Sequence, residues 1–144
     1  MWFTKKGEKG GQKISGTTGK LMQWPGDKNV LGYFKDGIVY SQHMQALGSY
    51  SLNGNDYNVE YDGKIIGFYS PSPSGGIVYF WGNYPTGLKK LAEFWNNQDM
   101  IHPENDEVQT IIFEGDPVGA AATFLVLFCG YGASDHELKK KFMK

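Results

Sequence analysis

Short apolar runs separated by turn-forming pairs dominate residues 20–81. Residues 20–24 and 30–34 flank Pro25-Gly26-Asp27, and Asp36-Gly37 then leads into Ile38-Val39-Tyr40. This is the pattern of successive β-hairpins, in which Asp-Gly supplies the two positive-φ positions of a tight turn. Residues 41–47 read as a short helix or irregular chain, ended by Gly48. Further on, Tyr57, Val59 and Tyr61 alternate with Asn58 and Glu60, which puts the apolar set on one face of a strand, and Asp62-Gly63 turns the chain into a second strand over 65–70. Pro71, Pro73, Gly75 and Gly76 mark a loop before residues 77–81, whose unbroken apolar character predicts a central strand buried on both faces. The tetrapeptide Gly-Ile-Val-Tyr occurs at 37–40 and again at 76–79, but its flanks do not match, so it marks two similar strands and no repeat architecture.

The period then changes. Leu88, Leu91, Ala92 and Trp95 fall at helical spacing and predict an amphipathic helix over 86–97. Residues 98–107 are polar and acidic and read as a loop, followed by a strand over 108–114. Asp116 is a good N-cap, Pro117 suits the first helical turn and Gly130 is a stop, so 117–129 predicts a buried helix, with a strand over 123–128 as its rival. Ser134-Asp135-His136-Glu137 has the form of a capping box and predicts a lysine-rich helix to residue 144. The expected fold is α+β: a mainly antiparallel sheet built from hairpins with two or three helices packed on it. It forms one domain over residues 1–144, of which 1–19 are a Gly- and Lys-rich segment read as loop. The expected core includes Tyr57, Val59, Tyr61, Ile77, Tyr79, Leu91, Trp95, Ile112, Leu125 and Leu127.

Composition narrows the function classes. Aromatic residues make up 15% of the chain, enough large apolar surface to offset the entropy of ordering it and to exclude intrinsic disorder. The stretch 118–129 is apolar but shorter than the roughly twenty residues a bilayer-crossing helix needs, and the first residues lack the apolar centre of an export signal. A single cysteine, Cys129, excludes an internal disulfide and fits a reducing compartment, so the expected location is the cytoplasm. Seven lysines face only Glu8 and Asp27 in residues 1–35, and the acids then concentrate in the middle of the chain. All fourteen basic residues are lysine, and without the planar arginine fork a sequence-specific DNA reader is disfavoured.

Each catalytic constellation has a structural explanation beside it. Cys129 with His43, His102 or His136 could supply a nucleophile and base, but it closes the run Phe124 to Phe128, the setting of an inert core thiol. Gly19-Lys20 resembles the end of a phosphate loop, yet Ile14 stands where the leading glycine is needed and Leu21 where a magnesium-binding hydroxyl is needed. Asp99, His102, Glu104, Asp106 and Glu107 lack zinc or calcium spacing and read as a solvated turn, so neither metal nor cofactor is expected. The pairs Glu60 with Asp62 and Glu114 with Asp116 could do acid-base work, although Asp62 is also explained by a turn and Asp116 by a cap.

The remaining signal is aromatic. Trp81, Asn83, Tyr84 and Thr86 combine stacking rings with hydrogen-bonding groups just before the expected helix, and form the candidate ligand-binding set. The leading expectation is a non-enzymatic binding or protein-interaction domain whose partner is a protein or small ligand. The alternatives are a small hydrolase or transferase using Cys129 or a carboxylate pair, and a carbohydrate- or nucleotide-binding module using aromatic loops.

Overall fold

The computed structural model describes residues 14–23, 29–73, 75–81, 87–95, 98–133 and 135–144. Among the described residues, ten strands follow one another: β1 (Thr18–Gln23), β2 (Val30–Lys35), β3 (Ile38–Ser41), β4 (Ala46–Asn53), β5 (Asp56–Tyr61), β6 (Lys64–Ser72), β7 (Gly75–Trp81), β8 (Leu88–Trp95), β9 (Met100–Pro103) and β10 (Ile111–Gly115). Each pairs antiparallel with its sequence neighbour, and β1 also pairs with β10, Leu21 opposite Phe113, so the wall closes into a barrel. Helix α1 (Pro117–Leu125) follows and continues through a π-helical turn, Val126–Gly130, and a short 3-10 turn, Tyr131–Ala133, before helix α2 (His136–Phe142).

This overturns the α+β expectation. The hairpins do not form an open sheet with helices laid on a face. They curl until the two edges meet, which removes the unpaired edge groups that an open sheet must otherwise protect. A ten-stranded wall is wider than the eight-stranded barrels whose own side chains fill the interior. Here α1 enters the lumen, touching β1 to β7 and β10, and every residue from Gly119 to Leu127 is buried. The helix is slim on the faces it presents, with Ala120, Ala121 and Ala122 all buried. The wall is cut away to receive the rest. A Cβ at Gly32 would lie 2.6 Å from Leu127 Cδ1, at Gly48 2.9 Å from Val126 Cγ2, and at Gly67 3.0 Å from Leu125 Cδ1. A Cβ at these inward positions would also crowd a backbone oxygen of the adjoining strand, that of Tyr40 at Gly32, Glu60 at Gly48 and Tyr79 at Gly67, so helix and wall together require glycine there.

Several local readings agree with the structure. Asp36 (φ 49°) with Gly37 (φ 90°), and Asp62 (φ 53°) with Gly63 (φ 77°), make the expected tight turns. Asp116 caps α1, its Oδ1 accepting from the Val118 amide at 2.8 Å, and 123–128 is helical rather than a strand. The Pro25-Gly26-Asp27 turn lies outside the described residues, as does Ser134. The cap of α2 is the next residue, Asp135, whose Oδ1 accepts from the Glu137 and Leu138 amides at 3.1 Å each.

Other readings fail for identifiable reasons. The helix expected over 86–97 is strand β8: Ala92 and Phe94 are buried, Leu91 and Glu93 only partly, and Trp95 is 49% exposed. Pairing to β7 on one side and β9 on the other decides the matter, because closure leaves no room for a gap in the wall. The expected acidic loop contains β9, and residues 41–47 form a turn leading into β4. Of the expected core, Val59, Leu125 and Leu127 are buried, whereas Tyr57, Tyr61, Ile77, Tyr79, Leu91 and Ile112 are half-buried. A bulge between Val59 and Glu60 breaks the alternation read for β5, and β7 turns only alternate residues, Gly76 and Val78, fully inward.

Candidate functional site

With the lumen occupied, the surfaces left open to a ligand are the barrel's mouths and its outer wall. The upper mouth surrounds the start of α1. It is formed by the β6–β7 turn, the end of β8 and the approach to β9, and it opens into a cleft of about 240 Å³. The apolar wall comes from inward positions of three strands, Tyr69, Phe94 and Phe113, with ring centroids 5.1 and 5.3 Å apart in succession. Pro73 and Pro117 extend it, and Ser72, Gln98 and Asp99 supply polar groups. Tyr69 is buried over the backbone of Gly76, where a Cβ would come within 2.5 Å of the ring. Burial, with the negative charge of Asp116 as a smaller contribution, pushes its phenol up to about 12, so it stands in the neutral hydroxyl form at every physiological pH.

Trp95 stands at the rim of this cleft. Exposed tryptophans usually move freely, but this one is tied down from two sides. Its Nε1 donates to Glu93 Oε1 at 3.0 Å, and His102 from β9 stacks on its ring with centroids 3.6 Å apart and planes 17° from parallel. The ties continue outward: Lys90 Nζ donates to Glu93 Oε2 at 3.2 Å and lies 3.5 Å from Glu104 Oε2, while His102 Nε2 donates to Gln98 Oε1 at 2.9 Å. The indole N–H and then Lys90 hold the Glu93 carboxyl below its ordinary range. Burial against the indole lowers the His102 pKa, with Glu93 opposing it, so the stacked ring is neutral near pH 7. The result is a flat aromatic shelf fixed beside a cleft.

The residues singled out from the sequence are scattered. Asn83, Tyr84 and Thr86 lie outside the described residues. Trp81, at the end of β7, is half-buried on the outer wall with its ring 5.9 Å from Phe68. Cys129 sits in the π-helical turn behind the barrel's lower end, where burial pushes its thiol up to about 12 and leaves almost no thiolate. His102 is engaged with Trp95 and Gln98, and His136 is exposed on the first turn of α2. Glu114 faces Lys20 at 3.8 Å, and Asp116 is committed to its cap. Among the described residues, no three His, Cys, Asp or Glu side chains come together as a metal site.

Its helical spacing predicts a core position for Trp95, whereas strand β8 leaves it exposed. The signal that could have found it is Glu93 two residues earlier, which in a strand lies on the same face and within reach of the indole N–H. Among the described residues, no helix is long and apolar enough to cross a membrane. No family model, curated protein or solved structure matches this chain.

Proposed function

We propose that this protein is a non-catalytic binding domain that holds a carbohydrate residue at its upper mouth, stacked on Trp95. The observation that carries the reading is the tethering of an exposed indole beside a cleft. Glu93 and His102 fix the ring before any ligand arrives, so a ligand that packs on it does not pay for ordering it. Sugar rings present a flat C–H face to an aromatic plane and a ring of hydroxyls to polar neighbours, and Gln98, Asp99 and Ser72 lie along the same cleft. The volume, about 240 Å³, is below that of drug-sized pockets and suits one or two sugar units. Asp99 among the lining groups, with Glu93 beside the ring, disfavours a phosphate-bearing nucleotide.

Supporting the non-catalytic part is the fate of the candidate nucleophile: a Cys129 thiol held near 12 is a poor attacker at neutral pH. The test is a panel of mono- and disaccharides titrated while tryptophan fluorescence is recorded. A saturable change that is abolished in Trp95→Ala, with the urea midpoint little altered, is the expected result. A panel without any response, or an unchanged response in Trp95→Ala, overturns the proposal.

A further inference from the structure

The lower mouth, at the far end of the lumen helix, carries a second cleft of about 190 Å³ between the β3–β4 turn and α2. Its floor is apolar: Leu31 from β2, Leu127 from the π-helical turn and Leu138 from α2 are all buried. One wall is a turn with a single well-defined shape. Ser41 N donates to Gln45 O at 2.8 Å, Met44 N donates to Ser41 O at 2.9 Å, and Ser41 Oγ accepts from the His43 and Gln45 amides at 3.2 Å each. Met44 is held there at φ 66°, a conformation that a methionine adopts only when its surroundings dictate it.

The charges around this cleft are arranged unusually. Glu137 and Lys141 stand four residues apart on α2, the orientation in which a carboxylate and an ammonium ordinarily pair along a helix. They do not pair. Lys141 Nζ reaches across the mouth and donates to the neutral amide oxygen of Gln42 at 3.2 Å, and the other end of that amide lies 3.3 Å from His43 Nε2. Glu137 is exposed, and its carboxylate has no side-chain partner among the described residues. Asp135 lines the same side, with Oδ1 accepting from two amides. The cleft is thus lined by an ammonium bonded to the neutral Gln42 amide, by carboxylates at the start of α2 and by an apolar floor.

We infer that this cleft binds a small zwitterion of the free α-amino-acid type with an apolar side chain. Its carboxylate would meet Lys141, its ammonium would meet Glu137 and Asp135, and its side chain would lie on Leu31, Leu127 and Leu138. Opposed charges pre-separated across a gap of this size favour a ligand carrying both signs over one carrying either, because each single-charge analogue leaves one protein charge without its partner. The volume, well below that of drug-sized sites, limits the occupant to about the size of one amino acid.

The test uses the full chain, labelled with 15N, titrated with L-leucine, with 4-methylpentanoate, which lacks the ammonium, and with 3-methylbutylamine, which lacks the carboxylate. Saturable amide shifts at Gln42, Tyr131 and Leu138 are expected with leucine, and both truncated analogues should bind at least about tenfold more weakly. Lys141→Met should bring leucine down to the affinity of the amine without changing how the amine itself binds, and Glu137→Gln should weaken leucine and leave 4-methylpentanoate unaffected. Both side chains are on the surface, so retained spectral dispersion will show that the variants fold. Absence of a saturable shift with leucine, equal affinity for all three compounds, or leucine binding indifferent to both substitutions overturns the inference. Because the sugar-binding cleft lies at the opposite end of the barrel, the outcome at one mouth is independent of the outcome at the other.

Discussion

Replacing Gly119 by alanine tests whether the lumen is as full as it looks. In an exposed helix this change gains about 1 kcal/mol, because alanine gives up less conformational freedom than glycine. In the lumen the added methyl would sit 2.6 Å from Phe34 Cγ and nearer still to Cδ1 and Cε1, where carbon atoms ordinarily keep about 3.5–4.0 Å. The Phe34 ring is 1% exposed and cannot retreat outward. Its far edge lies over Gly19 of β1, where a Cβ would be only 2.5 Å from Phe34 Cζ. A phenyl ring held between two glycines, one on the helix and one on the wall, belongs at the top of the roughly 1–3 kcal/mol range for overpacking. Subtracting the propensity gain leaves a net destabilisation of about 2 kcal/mol. With a urea m-value of about 2 kcal/mol/M, the midpoint should fall by roughly 1 M while m stays unchanged. Phe34→Leu, which makes room, should cost stability alone yet soften the effect of Gly119→Ala, giving a coupling of about 1 kcal/mol or more in the double-mutant cycle. A raised midpoint for Gly119→Ala, or strict additivity with Phe34→Leu, would refute this account of the packing.

Three further predictions rest on single contacts. Asp116→Ala removes the cap of the lumen helix and should cost about 1 kcal/mol in urea unfolding, with Asp116→Ser retaining most of it. Cys129, with its thiol near 12 against an ordinary value of about 8.5, should react with iodoacetamide at pH 8 about a thousandfold more slowly in the native protein than after unfolding; comparable rates would place the thiol in open solvent. The lowered pKa of His102 means that the unfolded chain takes up its proton first. Stability should therefore decline as pH falls from above about 6.5 towards the lower folded value and then level off, and His102→Gln should remove that part of the decline in urea midpoints measured at pH 7.5 and 5. An identical pH dependence in the variant would exclude this role.

What the sequence made legible was local chemistry that tolerates one solution. Asp-Gly pairs at 36–37 and 62–63 can adopt positive φ cheaply, and Asp116-Pro117 can scarcely do anything but begin a helix. Closure was not legible in this way, because no residue of β1 advertises that β10 will pair with it 90 or so positions later. For β8 the sequence carries two periods at once. Leu88, Leu91, Ala92 and Trp95 fit a helix, while Ala92 and Phe94 fit a strand, and only the neighbouring strands choose between them. The overlooked clue is in the glycines: Gly19, Gly32, Gly48 and Gly67 all fall within strands and at inward positions, the mark of another element coming close. Both proposed sites depend on closure. Neither mouth exists in an open sheet, so the sequence pattern points to the strand-end loop at 82–87 and not to Trp95.

The helix that fills the lumen is also the part of the chain made after the whole wall. During synthesis at roughly 5–20 residues per second, the ten strands leave the ribosome before α1 does, so for a time on the order of seconds the nascent chain has a wall and nothing to put inside it. Glycines cut to receive Leu125, Val126 and Leu127 then face an empty interior lined by exposed aromatic rings. Closure of β1 on β10 ahead of the helix would shut it out, and this order of emergence favours a wall that stays ajar until its last segment arrives. The same dependence makes the helix a checkpoint on quality, because a chain interrupted before Pro117 keeps its apolar interior on display to chaperones and proteases.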